Sequence, residues 1–377
     1  MADQPTAPGA PNAPINSPHQ TTTVTNQPDL IAAPQTEEEV CESSAGGPPG
    51  DGEDPNYDED SYSSESDSAV GVDSVSSSNS ITASIMEYRN IKGRTYHSAK
   101  HESKYFTPND EQQMESQDIT HHYLTVMLDD RLFLAPVPDN VKRVLDVGTG
   151  TGIWAIDMGD KYPDAEVIGT DLSPTQPLWV PPNVKFEIDD CTKEWTWPEG
   201  YFDFIHMRYL FGAISDWSEL LHQAYRCCAP GGWVQSCECD IAMNSDDDTI
   251  RPESVIKTFW NPLWKELPEK LGVSFQVVEE GLQNKGFEEA GFVDITEVNY
   301  KLPIGGWPLD RKLAEIGQLT LLTLNNDIEG YTLIPWNVVY GEETPGYQET
   351  LAYMRREIRS RSTHAYMSIR YVYGRKP

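Results

Sequence analysis

Apolar residues are distributed unevenly along the 377-residue chain. Over residues 1–90 Pro, Ser, Thr, Gly, Asp and Glu dominate, and large apolar side chains are few. Such a segment cannot bury enough surface to offset the entropy of ordering it, so a disordered acidic tail is expected there. Residues 110–133 then place Met114, Ile119, Tyr123, Val126 and Met127 at helical spacing, which predicts an amphipathic helix. Beyond it, short apolar runs alternate with helical patterns. Strands are predicted near 142–147, 165–170, 184–188, 202–207 and 232–239, and helices near 151–161, 216–228 and 276–290. This β-α-β order implies a parallel sheet covered on both faces. At the far end, 292–302 and 364–373 alternate as strands around two helical stretches, near 309–326 and 346–361. The expectation is an α/β, Rossmann-like sheet of seven strands whose last two pair antiparallel. A helical arm or lid is expected over 91–135, and the main domain over 136–377 with a helical insert at about 303–362.

Charge narrows the functional classes. The chain has 28 Lys+Arg against 60 Asp+Glu, a net charge of −32. Residues 1–88 hold 16 acids and no Lys or Arg, so this tail and the remainder each carry −16. Phosphate contacts need clustered bases, which argues against direct binding of nucleic acid or of an anionic membrane surface. The six cysteines show no CxxC pair and read as reduced thiols; buried strand positions explain Cys237 and Cys239 better than a metal does, and no metal is expected. The first residues show neither a basic nor an apolar signal region, and no apolar run approaches the roughly 20 residues of a membrane span. A place in the cytoplasm and/or nucleus is expected. Tyr62 to Ser68 (YSSESDS) reads as an acidic-directed kinase substrate or as a plain solvated tail.

The strongest chemical signal is Val144-Leu-Asp-Val-Gly-Thr-Gly-Thr-Gly152 running into a helix. Gly148, Gly150 and Gly152 allow a sharp turn and close approach to a ligand, and the following helix presents free N–H groups. Asp146 stands beside that loop, where it would repel a dinucleotide's pyrophosphate and favour the ammonium and sulfonium groups of S-adenosylmethionine. Asp171 ends the second strand, a position suited to bonding ribose hydroxyls. Leu172 follows it. Asp189 and Asp190 follow the third strand; Asp190, before the small Cys191, is the better candidate for an adenine amino group. A loop or helix-cap acid would look the same in sequence.

Together with TDLSP (170–174), FDFIHMRYL (202–210) and APGGW (229–233), this loop resembles that of a class I S-adenosylmethionine-dependent methyltransferase. More narrowly, the chain is similar to the fungal LaeA-like methyltransferases. The marks are Gly93-Arg-Thr-Tyr-His97, Tyr105-Phe-Thr-Pro-Asn-Asp-Glu111 leading to His121, GIWAIDMGDKYPDAEV (152–167) and His364-Ala-Tyr366. The resemblance covers residues 93–377. It implies the cofactor S-adenosylmethionine, a small-molecule or protein methyl acceptor, and a role in fungal secondary metabolism or its regulation. For some members it also implies a velvet-family protein partner. A tailoring enzyme acting on O, N or S of a natural product shares every cofactor residue, and a non-catalytic scaffold is a third reading.

Methyl transfer is an in-line displacement, so alignment and exclusion of water matter more than any one catalytic group. His206, at the end of the fourth strand, is the candidate general base, against a hydrogen-bonded core histidine. Tyr96 and Arg94 are candidates for the methionine carboxylate of the cofactor, by analogy. His121 or His122 is a candidate lid contact. Glu238 and Asp240, with Trp260, Trp264, Trp307 and Trp336, are candidates for the acceptor side.

Overall fold

The computed structural model describes residues 21–25, 30, 87–101 and 103–377. Most of the expected disordered tail, including Tyr62 to Ser68, lies outside the described residues. In chain order the elements are β1 (Thr22–Thr25), β2 (Arg89–Ile91), β3 (Arg94–Tyr96), α1 (Glu111–Met127), β4 (Arg143–Val147), α2 (Ile153–Lys161), β5 (Glu166–Asp171) and β6 (Val184–Ile188). There follow β7 (Phe202–Arg208), α3 (Trp217–Cys227), β8 (Cys228–Asn244), a π-helical turn at Ile256–Trp260 continuous with α4 (Asn261–Leu271), α5 (Leu282–Ala290), β9 (Val293–Pro303), α6 (Arg311–Val339), α7 (Tyr347–Ile358) and β10 (Tyr366–Arg375).

One sheet runs β1-β9-β10-β8-β7-β4-β5-β6. The strands β4 to β8 are parallel, while β10 is antiparallel to both β8 and β9. These are the seven expected strands with the antiparallel pair in the expected place. The eighth corrects the reading of the tail: Thr22–Thr25 pairs parallel with β9, from Thr22 opposite Thr296 to Thr25 opposite Asn299. An edge strand needs only backbone pairing, so four residues rich in Thr suffice without an apolar run to announce them.

Two further differences concern the arm and the helices. The arm is not helical throughout: β2 and β3 form an antiparallel hairpin closed by Lys92 (φ 49°) and Gly93 (φ 83°) before α1 begins. The turn-helix unit 256–271 has no clear helical pattern in the sequence because Pro262 and Pro268 interrupt it; Pro262 sits at the helix start, where its missing N–H costs little. The insert's first helix runs to Val339 rather than 326, but it breaks at Asp327 (φ −137°, ψ 43°). Asp327 accepts the amide of Gly330 at 3.0 Å and so restarts the helix as a cap. Among the described residues, no helix is long and apolar enough to cross a membrane.

α1 is capped by Asp110, whose side chain accepts the Gln113 amide at 3.2 Å. The same carboxylate receives the Arg94 guanidinium at 2.5 and 2.7 Å, and Arg94 donates on its other edge to Asp327 at 2.6 and 2.9 Å. The hairpin, the start of α1 and the break in α6 thus share one cation. Removing one partner of a buried ion pair leaves uncompensated charge, here two carboxylates. Arg94→Leu is therefore expected to lower unfolding stability by about 3 kcal/mol in urea denaturation; a loss under ~0.5 kcal/mol, as for a surface pair, would contradict this account.

Candidate active site

The glycine loop leaves β4 with Gly148, Gly150 and Gly152 at φ 68°, 59° and 81°. These are left-handed conformations in which a side chain is strained. Space is equally limiting: a Cβ on Gly150 would lie 2.6 Å from Gln117 Oε1, and one on Gly152 would lie 2.4 Å from the Phe186 ring. The loop is pinned to the next strand by the Thr149 amide on the Thr170 carbonyl (2.8 Å) and the Gly150 amide on Asp171 Oδ2 (2.9 Å). Asp171 Oδ1 accepts the Ser173 amide at 3.1 Å. Each carboxylate oxygen keeps a second lone pair, so Asp171 retains acceptor capacity for ligand hydroxyls. Burial pushes its carboxyl up to about 6.

Gly148, Gly150, Asp171, Leu172, Asp189 and Asp190 all line one cavity at the carboxyl ends of β4 to β7. Asp190 accepts the amide and hydroxyl of Thr192 at 3.0 and 2.6 Å through one oxygen, Oδ1. Burial raises the Asp189 carboxyl. The cavity continues past the loop beneath α1 and α6, where Phe106, Tyr123, Tyr209, Ile241, Leu324 and Met367 form its wall.

Sequence reasoning missed most of this roof. α1 turns Gln113, Ser116, Thr120 and Tyr123 inward, while Met114 and Ile119 are only half-buried. The apolar spacing predicts the helix and places Tyr123 and Met127 in the core, but it misses the inward polar residues, because part of the inner face borders the cavity. Polar residues recurring at 113, 117 and 120 were the available signal. The contributions of Thr320, Thr323 and Tyr331 had no local signal at all. Tyr209 stands in the left-handed region (φ 56°), an uncommon conformation for a bulky residue that places its hydroxyl 3.3 Å from that of Tyr123.

Several expected site residues do not reach the cavity. Asp146 is buried, accepting the Thr149 hydroxyl at 2.6 Å and facing His206 Nδ1 at 2.7 Å. It braces the loop from behind. His206, the candidate base, is sealed: its ring stacks on Trp154 with centroids 3.8 Å apart and planes 6° from parallel. Burial lowers its pKa in spite of Asp146, which faces Nδ1. Such a histidine shapes the strand end and has no path to a substrate proton. Gly152 meets Phe186 rather than the cavity. Tyr96 is fully buried beside the Arg94 clamp, and Arg94 is spent on Asp110 and Asp327, so neither is placed to hold a cofactor carboxylate.

The other candidates are likewise structural. His121 is buried between Asp157 (2.9 Å) and Arg208 (3.3 Å), and His122 is exposed. Glu238 accepts the amides of Leu210 and Phe211 at 3.2 and 3.0 Å, and burial pushes it up to about 8. Asp240 accepts the amides of Val278 and Glu279 at 2.8 and 2.9 Å. Trp260 and Trp264 pack the core, and neither they nor Trp307 and Trp336 line the cavity.

A parallel sheet with a reversed strand β10 between β8 and β9, and a glycine loop opening a cavity at its carboxyl edge, defines a class I methyltransferase. Comparison with known proteins agrees. A methyltransferase-domain family model matches residues 119–267. Methyltransferase pytC of Aspergillus terreus is 37% identical over 310 residues, covering 82% of this chain and 94% of that protein. The secondary metabolism regulator LAE1 of Cochliobolus heterostrophus is 35% identical, covering 76% and 94%. The protein-methionine methyltransferase laeA of Emericella nidulans is 31% identical over 77% of each. The chain belongs to the LaeA-like family of S-adenosylmethionine-dependent methyltransferases.

The residues present fit that cofactor. Asp171 offers buried acceptor positions, Leu172 and Ile153 offer apolar surface, and Asp189 and Asp190 carry carboxylates on the same wall. The bound cofactor supplies an electrophilic methyl group; these residues would hold its nucleoside. Asp171→Ala is expected to weaken S-adenosylmethionine binding at least about tenfold in calorimetric titration; unchanged affinity would remove Asp171 from the site. Only ionised Asp171 accepts two hydroxyls, and its carboxyl gains a proton as pH falls through about 6. Affinity should therefore weaken by up to about tenfold from pH 7 to pH 5, and Asp171→Asn should flatten that dependence.

Proposed function

We propose that this methyltransferase acts in secondary metabolism on a small, largely apolar acceptor seated in the chamber beyond the glycine loop. The observation that carries this reading is the continuity of the cavity. The wall that begins at Gly148 and Asp171 ends in Phe106, Ile241, Leu324 and Met367 under the insert. A chamber of this kind binds apolar molecules by excluding water, and it aligns them with the donor in the same step. The relatives' names support the metabolic setting, since one is a methyltransferase and others are secondary metabolism regulators.

A second reading is favoured by the Emericella nidulans relative, named a protein-methionine methyltransferase. A methionine side chain is a slender, unbranched thioether that suits the same apolar wall. For a regulator of that kind we also propose a velvet-family protein as partner and a place in the nucleus or cytoplasm, which co-purification and fractionation would check.

The deciding measurement is methyl transfer from labelled S-adenosylmethionine to two defined pools, one of small aromatic alcohols and thiols and one of methionine-containing peptides. Label in the small-molecule pool is expected. Label confined to the peptides would replace the first reading with the second.

A further inference from the structure

Most polar groups on the cavity wall are already committed to partners. The hydroxyls of Thr120, Thr320 and Thr323 donate to carbonyls one turn back, on Ser116, Ile316 and Leu319. Tyr123 and Tyr209 face one another. Asp171 holds the Gly150 and Ser173 amides, Asp190 holds Thr192, Thr149 holds Asp146, and Thr151 donates to Asp118. Among the described residues, two buried polar atoms of the wall make no hydrogen bond of good geometry: Thr107 Oγ1, which lies against the Tyr105 hydroxyl, and Gln113 Oε1. A hydroxyl can rotate toward a new neighbour, whereas a carboxamide oxygen is set by its side chain. Gln113 is 2% exposed, and leaving such an oxygen unbonded is costly.

The side chain is also held at a defined place. The Gln113 amide donates to the Asp110 cap. On its two sides Gln112 and Ser116 are stapled to Asn326 of α6, by Gln112 Nε2 on the Asn326 carbonyl (2.5 Å) and by Asn326 Nδ2 on the Gln112 carbonyl and Ser116 Oγ (both 3.0 Å). Tyr331, one turn beyond Asp327, hydrogen-bonds the Gln113 carboxamide; burial raises the phenol's pKa and this bond opposes the rise, so the Gln113 nitrogen is the donor and its oxygen is left over. The next cavity-lining residue of α1, Gln117, lies over Gly150 at the cofactor end. Gln113 therefore stands one turn away from the cofactor loop, against the insert that walls the acceptor chamber.

We propose that Gln113 is a specificity-determining residue that accepts a hydrogen bond from an O–H or N–H group of the methyl acceptor. The acceptor class is then an apolar molecule carrying a donor, such as a phenol or a secondary amide, and not a plain hydrocarbon or thioether. This rests on the small-molecule reading above. An amide oxygen built to receive a donor discriminates against a ligand lacking one, because it is left unbonded in that complex. The S-adenosylmethionine ammonium is the other donor that could satisfy the same atom, and the test separates the two.

The test uses the full chain saturated with S-adenosylhomocysteine and titrated with 2-naphthol and naphthalene, for wild type, Gln113→Leu and Gln113→Met. Wild type should bind 2-naphthol about 3- to 10-fold more tightly than naphthalene. Both variants should erase that preference while S-adenosylhomocysteine affinity stays within about twofold, which also shows that they fold. A preference that survives both substitutions overturns the proposal. So does a loss of S-adenosylhomocysteine affinity of about tenfold in a variant with unchanged melting temperature, since Gln113 would then serve the cofactor. If neither probe binds wild type, the small-molecule reading fails instead, and the proposal with it.

Discussion

Arg94 lies between Asp110 and Asp327, and the shape of the site follows from that arrangement. The guanidinium is planar and presents two edges, so it can satisfy two carboxylates at once in a way that an ammonium cannot. Asp327 is fully buried, and burial raises its carboxyl pKa; Arg94 opposes that shift. Since Asp110 also caps α1 and Asp327 also restarts α6, fixing one cation fixes the roof over the cavity. The positions of Gln113, Gln117 and Tyr331 are consequences of it.

Other acids in the site region do comparable structural work. Asp146 lies near the carboxyl end of β4, and Glu238 and Asp240 lie in the second half of β8, two strands away. Asp146 spends its oxygens on the side chains of Thr149 and His206, and Glu238 and Asp240 each accept two backbone amides. The reason is local: strands that end in parallel must release their chains into irregular loops, whose amides have no ladder partner. A buried carboxylate that accepts two amides holds such a loop in one conformation. Glu238 does this for Leu210 and Phe211, and so orients the adjoining Tyr209.

Asp171 also accepts two backbone amides, but it differs because it lines the cavity. The same wall changes from carboxylates near the glycine loop to aromatic and aliphatic side chains under the insert. That gradient suits a reaction in which a charged donor must meet an acceptor in a dry space, with the protein supplying alignment rather than a proton relay. The sealing of His206 is consistent with this division of labour.

What the chain determined locally was legible before folding was considered. Strand periodicity, the three glycines whose positive φ no other residue tolerates well, and the acid ending β5 follow from backbone sterics within a few residues. The seven-strand core and the cavity-lining residues beside the glycine loop could therefore be read directly. The added edge strand could not, since Thr22–Thr25 gains its structure only from β9. Nor could the inward polar residues of α1, the ion clamp joining residues 94, 110 and 327, or the fate of His206. These depend on which side chains meet after folding, 16 residues apart for Arg94 and Asp110, 60 for Asp146 and His206 and 233 for Arg94 and Asp327, and spacing alone says nothing about desolvation. Whether a carboxylate is a ligand contact or a loop brace is decided by its neighbours and by access to the cavity, which only the tertiary structure sets.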